Sequence, residues 1–348
     1  MNSRERFLGF LNRTPIDRPP MWIMRQAGRY LPEYRDVRSG VTDFHQLCYT
    51  PELASEVVMQ PLRRFNLDAA IVFADILNVV DACGTEIVFG QSGGPCITKP
   101  IRSSKALDNL CFKKETLAPI LQTISKLRVE LPNHGVIGFV GSPWTLACYA
   151  VEGQITKELS QIKTLLYKEP LVLKQLLEHY CKAACWFVEE QIHAGADCII
   201  IFDSWGGALG CDLFNEWSLQ YQQTIMQAAK SHPVFLFTRN SYAYLDSILA
   251  TKPNGICIDW TCPLPETLKR CQNKDVLLHG HFDPKLLHAS DEVIQQTIRQ
   301  TLDHIELHSH WLPSLGHGIT PDIEPNKIKL FLDTLQQYHW NLSPLMTI

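Results

Sequence analysis

Short, continuous apolar runs recur along the chain: MWIM (21–24), AAIVF (69–73), VIGFV (136–140), CIIIF (198–202), VFLF (234–237), GICI (255–258) and VLLH (276–279). They do not alternate apolar with polar positions, which is the pattern of strands buried on both faces. Between them lie helical patterns at 50–65, 117–131, about 155–193, 212–230, 265–272 and 290–307, and an amphipathic helix precedes the first run. A weak eighth strand-like segment, HWLPSLG (310–316), leads into a last helical pattern at 325–338. Strand and helix in regular alternation predict a parallel α/β barrel of the (β/α)8 TIM type, with its active-site cleft at the C-terminal ends of the strands. The main rival, a doubly wound open sheet, would be expected to carry a G-x-G-x-x-G turn after an early strand, and the chain has none. With no low-complexity linker and no shift in composition, residues 1–348 read as a single domain.

Composition narrows the classes. The chain has 348 residues, is 45% hydrophobic and 20% charged, and carries a net charge of −4, so it has a sizeable core and no global bias toward nucleic acid or a membrane surface. Its 12 cysteines are scattered. Cys148, Cys198 and Cys257 lie in or beside strand-like runs, as buried reduced thiols do, which predicts a reducing cytoplasm. The first residues have too short an apolar stretch for a signal peptide, and no segment approaches about 18 consecutive apolar residues, so the expectation is a protein neither exported nor membrane-spanning.

In such a barrel the residues just past each strand line the mouth. Taken in order they are Arg25 and Arg29, Asp75, Tyr149, Asp203 with Ser204, Thr238 with Arg239, Asp259 with Trp260, His279 with His281, and His317 of LGHGI. Each has a structural reading beside a functional one. Arg25 and Arg29 could pair with Glu33 or Glu52, but two guanidinium groups in one glycine-containing turn beside Met, Trp and Ile suit an anion of carboxylate or phosphate type. Asp75, flanked by apolar residues, either caps the following helix or faces a ligand that brings N–H donors or a cation. Asp203 and Asp259 carry the same two readings. Tyr149 and Ser204 fit a satisfied core as readily as a contact, whereas His317, between two glycines in a loop, favours a ligand contact. A metal site would need His279, His281 and His317 together; Cys181 and Cys185 fall at i, i+4 in a helix, where packing explains them.

The motifs PPMWIMRQAGRYLPEYR (19–35) and IGFVGSPWTLACYAVEG (137–153) resemble the two signatures of the uroporphyrinogen decarboxylase family. The blocks PELASEVVMQPLRRFNLDAAIVFADIL, IIIFDSWGGALG and LGHGITPDIEP are similar to further family blocks in the same order, from about residue 4 to 338. The resemblance implies a cofactor-free (β/α)8 barrel, a homodimer with facing clefts, that removes carbon dioxide from the four acetate arms of uroporphyrinogen III to give coproporphyrinogen III in the haem pathway. It implies that Asp75 faces the pyrrole N–H groups. It implies that Arg25, Gln26, Ala27, Gly28 and Arg29 receive carboxylates, and that Tyr149, Ser204 and His317 add contacts. Met24, Ile71, Phe139 and Phe202 would cup the tetrapyrrole face. Asp75 and Arg25 are the catalytic pair so implied, with the proton coming from Arg25, a substrate carboxyl or water. Departures from the family pattern are Ala74 for serine, HGH (279–281) in the QGN motif, FTRN (237–240) for an FSKG type, and Gln154 for glycine. Two other readings remain open: a zinc-dependent thiol methyltransferase of the same superfamily, and a tetrapyrrole binder that has lost turnover.

Overall fold

The computed structural model describes residues 1–89, 94–305 and 310–340. Its centre is a curled, parallel, seven-stranded sheet of β1 (Ala69–Ile71), β4 (Gly135–Gly141), β5 (Cys198–Asp203), β6 (Val234–Thr238), β7 (Gly255–Ile258), β8 (Leu277–Phe282) and β9 (Trp311–Leu315), adjacent in chain order. An antiparallel pair, β2 (Ile87–Phe89) and β3 (Pro95–Ile97), stands apart from it. Six of the predicted runs thus become sheet strands, and the weak segment at 310–316 becomes β9. Strands β4, β7 and β9 are buried along their whole lengths, consistent with apolar runs covered on both faces.

Three expectations differ from the structure. Met21–Met24 forms no ladder; it runs between β1 and β9, and side chains replace much of the backbone pairing. The Asp68 N–H donates to Met21 O (2.7 Å) and the Ser314 hydroxyl to Trp22 O (2.7 Å). The buried Gln26 amide accepts from the Ile23 N–H and donates to Ala69 O (3.0 Å). The long helix expected at 155–193 is two helices, Ser160–Lys168 and Pro170–His193, because the ring of Pro170 disfavours helical geometry at Glu169 and starts a new helix at its own first turn. The pattern at 212–230 likewise splits, around a π-helical turn at Asn215–Leu219. The predicted helix at 290–307 is observed as Asp291–Asp303, and its positions 306–307 lie outside the described residues.

A buried ionic knot pins the chain entering Met21. Asp68, fully buried, accepts from Arg6 (2.7 Å), Arg18 (2.6 Å) and the Met21 N–H (2.7 Å), so both its oxygens are met by donors. Removing one partner would leave an uncompensated buried charge. The knot therefore fixes where the arginine turn begins.

Candidate active site

Past Met24 the chain turns sharply, and Arg25 occupies the left-handed region at φ 57°, a strained place for a residue with a Cβ. The turn throws Arg25 toward the LGHGI loop, where its stem lies across Gly318: a Cβ there would sit 2.6 Å from Arg25 Cγ. The Ile319 N–H closes the contact on Met24 O (3.1 Å). At Gly28, by contrast, an added Cβ would meet only ordinary contacts, 3.6 Å to Arg25 O, so the fold itself does not demand glycine there. The Gln26 N–H already donates to Ile23 O, and its side chain is tied to the strands. Ala27 and Gly28 are half-buried.

Arg25 and Arg29 are exposed, and among the described residues neither forms an ion pair. The carboxylate expected as a partner, Glu33, is instead held by Arg64 in a two-pronged contact (2.9 Å each). Two guanidinium groups are thus left open at the mouth.

Asp75 follows β1 by a short turn. Its N–H donates to Asn78 Oδ1 (2.6 Å) and its Oδ1 accepts from the Leu77 N–H (2.8 Å), so one carboxylate oxygen closes a local turn before the helix Asn78–Ala82, whose N-terminal N–H groups take no side-chain cap. The other, Oδ2, has no bond to any described group. Burial pushes the Asp75 carboxyl up, against the Leu77 N–H and the Arg25 charge, which favour its ionised form. Tyr149, on helix Pro143–Glu152, is raised mainly by burial; Asp75 adds to this and Arg25 opposes it. Arg25, Asp75 and Tyr149 are therefore electrostatic neighbours. Ser204 stands half-buried at the end of β5.

Aromatic rings line the wall. Phe139 meets Phe202 edge-on (5.5 Å between centroids), Phe202 meets Phe237 (5.7 Å), and Phe237 meets the His317 ring (6.0 Å). Met24 and Ile71 are buried in the same core. Burial pushes the His317 imidazole down to about 4, aided by Arg25 and Arg239, so the ring is neutral at neutral pH and offers one donor and one acceptor. The sequence put Arg239 at a strand end without giving it a ligand role; it is a third exposed guanidinium, beyond Phe237 and within electrostatic reach of His317.

Other strand-end groups are spent on structure. Asp203 is fully buried and saturated, accepting from Ser142 (2.6 Å), Thr145 (2.7 Å), Ser218 (2.6 Å) and Gln222 (3.1 Å). Asp259 holds the Thr261 N–H (2.9 Å) and the Asn240 N–H (2.6 Å). The three histidines do not converge. His279 is fully buried and stacked on Trp22 (4.0 Å, 10°), while Gly280 and His281, at φ 101° and 102°, re-aim the strand so that His281 lies against Phe282 and Trp311. Among the described residues no group of three His, Cys, Asp or Glu is placed to hold a metal ion. Of the departures, Ala74 is half-buried beside Asp75, and Gln154 bridges to Cys96 of β3, away from the guanidinium groups.

The site thus combines a carboxylate, Asp75, within electrostatic reach of the open Arg25 guanidinium, with a run of aromatic rings at parallel strand ends. The sequence pattern described as Uroporphyrinogen decarboxylase (URO-D) matches residues 2–338. The chain belongs to the uroporphyrinogen decarboxylase family. It is 42% identical over 345 residues to a uroporphyrinogen decarboxylase of Tolumonas auensis, covering 97% of each chain. It is 40% identical over 344 residues to that of Legionella pneumophila strain Paris, covering 96% of this chain and 97% of the relative. Among solved structures, a methyltransferase from Methanosarcina mazei superposes with a TM-score of 0.80 at 19% identity, over 97% of this chain and 98% of that one. At that identity the likeness concerns the TIM-like fold alone.

Proposed function

We infer that the chain is a carboxy-lyase that converts the four acetate arms of uroporphyrinogen III to methyl groups, giving coproporphyrinogen III. Family membership over nearly the whole chain supports this reading, and the observation in the site that carries it is the open Arg25 guanidinium within electrostatic reach of Asp75 and His317, with Arg29 open in the same turn. The substrate has the matching shape, a macrocycle with apolar faces, inward N–H groups and carboxylates around its edge.

Asp75 Oδ2 accepts the pyrrole N–H groups, Arg25 and Arg29 bind side-chain carboxylates, and Ala27, Gly28, Tyr149, Ser204 and His317 complete the contacts. Gln26 contributes by holding the turn. Met24, Ile71, Phe139 and Phe202 cup the macrocycle. A ring protonated at the carbon beside nitrogen becomes cationic and can accept the electron pair released when carbon dioxide leaves; a fixed carboxylate at Asp75 stabilises that cation in a site where little water screens it. Arg25 stands where the proton is needed, and we assign it the role of holding that proton donor in place.

The same reading makes the molecule a single-domain barrel, with Met21–Met24 as its eighth stave, that works without a cofactor as a cytoplasmic homodimer with facing clefts. No helix among the described residues is long and apolar enough to cross a membrane. The deciding experiment is anaerobic incubation of chelator-treated protein with uroporphyrinogen III, followed by chromatography of the oxidised products. Porphyrins with seven down to four carboxylates are expected; recovery of the eight-carboxylate species alone would overturn the assignment. Light scattering at micromolar concentration tests the dimer.

A further inference from the structure

Asp75 also lines a small pocket that it shares with His45, Cys48, Tyr49, Asn78 and Asp81, with room for about one water molecule. A chain of polar groups runs through its wall to the surface. Asn78 Oδ1 takes the Asp75 N–H (2.6 Å), and the Asn78 side chain also hydrogen-bonds to Tyr49. The Tyr49 hydroxyl donates to Asp81 Oδ2 (2.7 Å), and the same oxygen meets His45 Nε2 (3.1 Å). The His45 ring stacks on Tyr49 (4.0 Å, 24°) and is 49% exposed, whereas Asp81 is 24% exposed. The ionisable groups facing the pocket come from three segments: His45, Cys48 and Tyr49 from the helix Phe44–Cys48 and its end, Asp75 from the turn after β1, and Asp81 from Asn78–Ala82.

We propose that His45, Asp81 and Tyr49 are a proton-entry path that resupplies the Asp75 side of the site from solvent. The inference rests on the decarboxylase reading. Each turnover converts R–CH2–COO⁻ and one H⁺ to R–CH3 and CO2: the bond from methylene carbon to carboxylate breaks, its electron pair ends in the new C–H bond, and one proton is consumed. Four are needed per substrate. A macrocycle seated over Asp75 would cover the carboxylate from the side of the open guanidinium groups, and the pocket that Asp75 shares with His45, Tyr49 and Asp81 offers protons a route to it through the wall. His45 exchanges with solvent, Asp81 Oδ2 takes the proton, and the Tyr49 hydroxyl, kept protonated by burial and by Asp81, accepts it on oxygen while releasing its own toward a water beside Asp75. Among the described residues none of the three side chains hydrogen-bonds to the arginine turn or stacks on Phe139, Phe202 or Phe237. They act on turnover, not on substrate affinity.

The test is steady-state kinetics of His45→Ala, His45→Gln, Tyr49→Phe and Asp81→Asn with uroporphyrinogen III, with and without added imidazole. The path predicts that kcat falls about tenfold or more with KM within twofold, that the fall steepens as pH rises, and that imidazole restores His45→Ala saturably but not Tyr49→Phe. His45 is exposed, so its variants fold, and rescue by a diffusible acid is a response that a packing defect would not give. Unchanged kcat in all four, or losses that imidazole leaves untouched in His45→Ala, would overturn the path while leaving wild-type conversion, and hence the decarboxylase reading, intact.

Discussion

The two carboxylate oxygens of Asp75 stand in different surroundings. Oδ1 holds the Leu77 N–H in a local turn, while Oδ2 has no bond to any described group, a difference between two oxygens of one residue that no sequence pattern carries. Asp75→Asn keeps the shape and an acceptor for the Leu77 N–H but removes the charge that the proposed cationic intermediate would face. Its kcat is expected to fall by about a hundredfold or more, with a much smaller change in KM, measured by initial rates; near-normal turnover would refute the electrostatic role. The guanidinium groups should behave in the opposite way. Arg29 and Arg239 are exposed and free of described ion pairs, so Arg29→Ala and Arg239→Ala are expected to raise KM by about tenfold each, the scale of one charge-assisted hydrogen bond, with kcat nearly kept. A loss confined to kcat in Arg29→Ala would remove it from carboxylate anchoring.

Among the elements, the turn 25–29 and the loop 316–319 form one unit, because Gly318 leaves the space that the Arg25 stem fills. Gly318→Ala would push that stem aside and is expected to lower kcat/KM as Arg25→Ala does, with a change in Tm of only a few degrees. Combined with Arg25→Ala it should add little further loss, since both changes remove the same placement. Full additivity in the double variant would mean that the loop acts independently of the arginine. The strands β4, β5, β6, β7 and β8 were legible from continuous apolar runs because burial on both faces leaves no other composition available to them. Met21–Met24 has the same composition but no ladder, because Gln26 and Ser314 spend side chains on bonds that a neighbouring backbone would make, and no periodicity encodes that substitution. The β2–β3 pair escaped notice because Ile87–Phe89 and Pro95–Ile97 are not set in a longer apolar run, as the equally short β1 is in AAIVF. At the strand ends, Asp75, Asp203 and Asp259 looked alike in sequence. Only the donors brought from Ser142, Thr145, Ser218 and Gln222 show that Asp203 is saturated, and those positions are scattered along the chain.

Across the whole molecule, the buried histidines set an acid limit on stability. His279 is held at about 3, and His281 and His317 at about 4, each chiefly by burial, and His134, His179 and His310 are lowered in the same direction. In the unfolded chain a histidine titrates near 6.5. Between about pH 6.5 and 4 the unfolded state therefore binds protons that the folded state refuses, and stability falls as the pH falls through that window. Each such histidine costs about 1.4 kcal/mol per pH unit once the unfolded form is protonated. The carboxylates held low, such as Asp17 at about 2, act in the same direction only below about pH 4, because their unfolded counterparts are ionised above it. The window from pH 4.5 to 6.5 thus reports on histidine. His279 is the cleanest probe: it lies beneath the sheet's closing segment against Trp22, with neither ring nitrogen in a hydrogen bond of good geometry, and a glutamine at this position cannot take up a proton. Urea unfolding of wild type and His279→Gln at pH 7.5, 6.0 and 5.0 should give curves whose stabilities converge as the pH falls, with the variant's slope shallower by about one proton near pH 5. Parallel slopes would mean that His279 is protonated in the folded protein, and that the burial of this ring beside Trp22 is compensated by a negative partner.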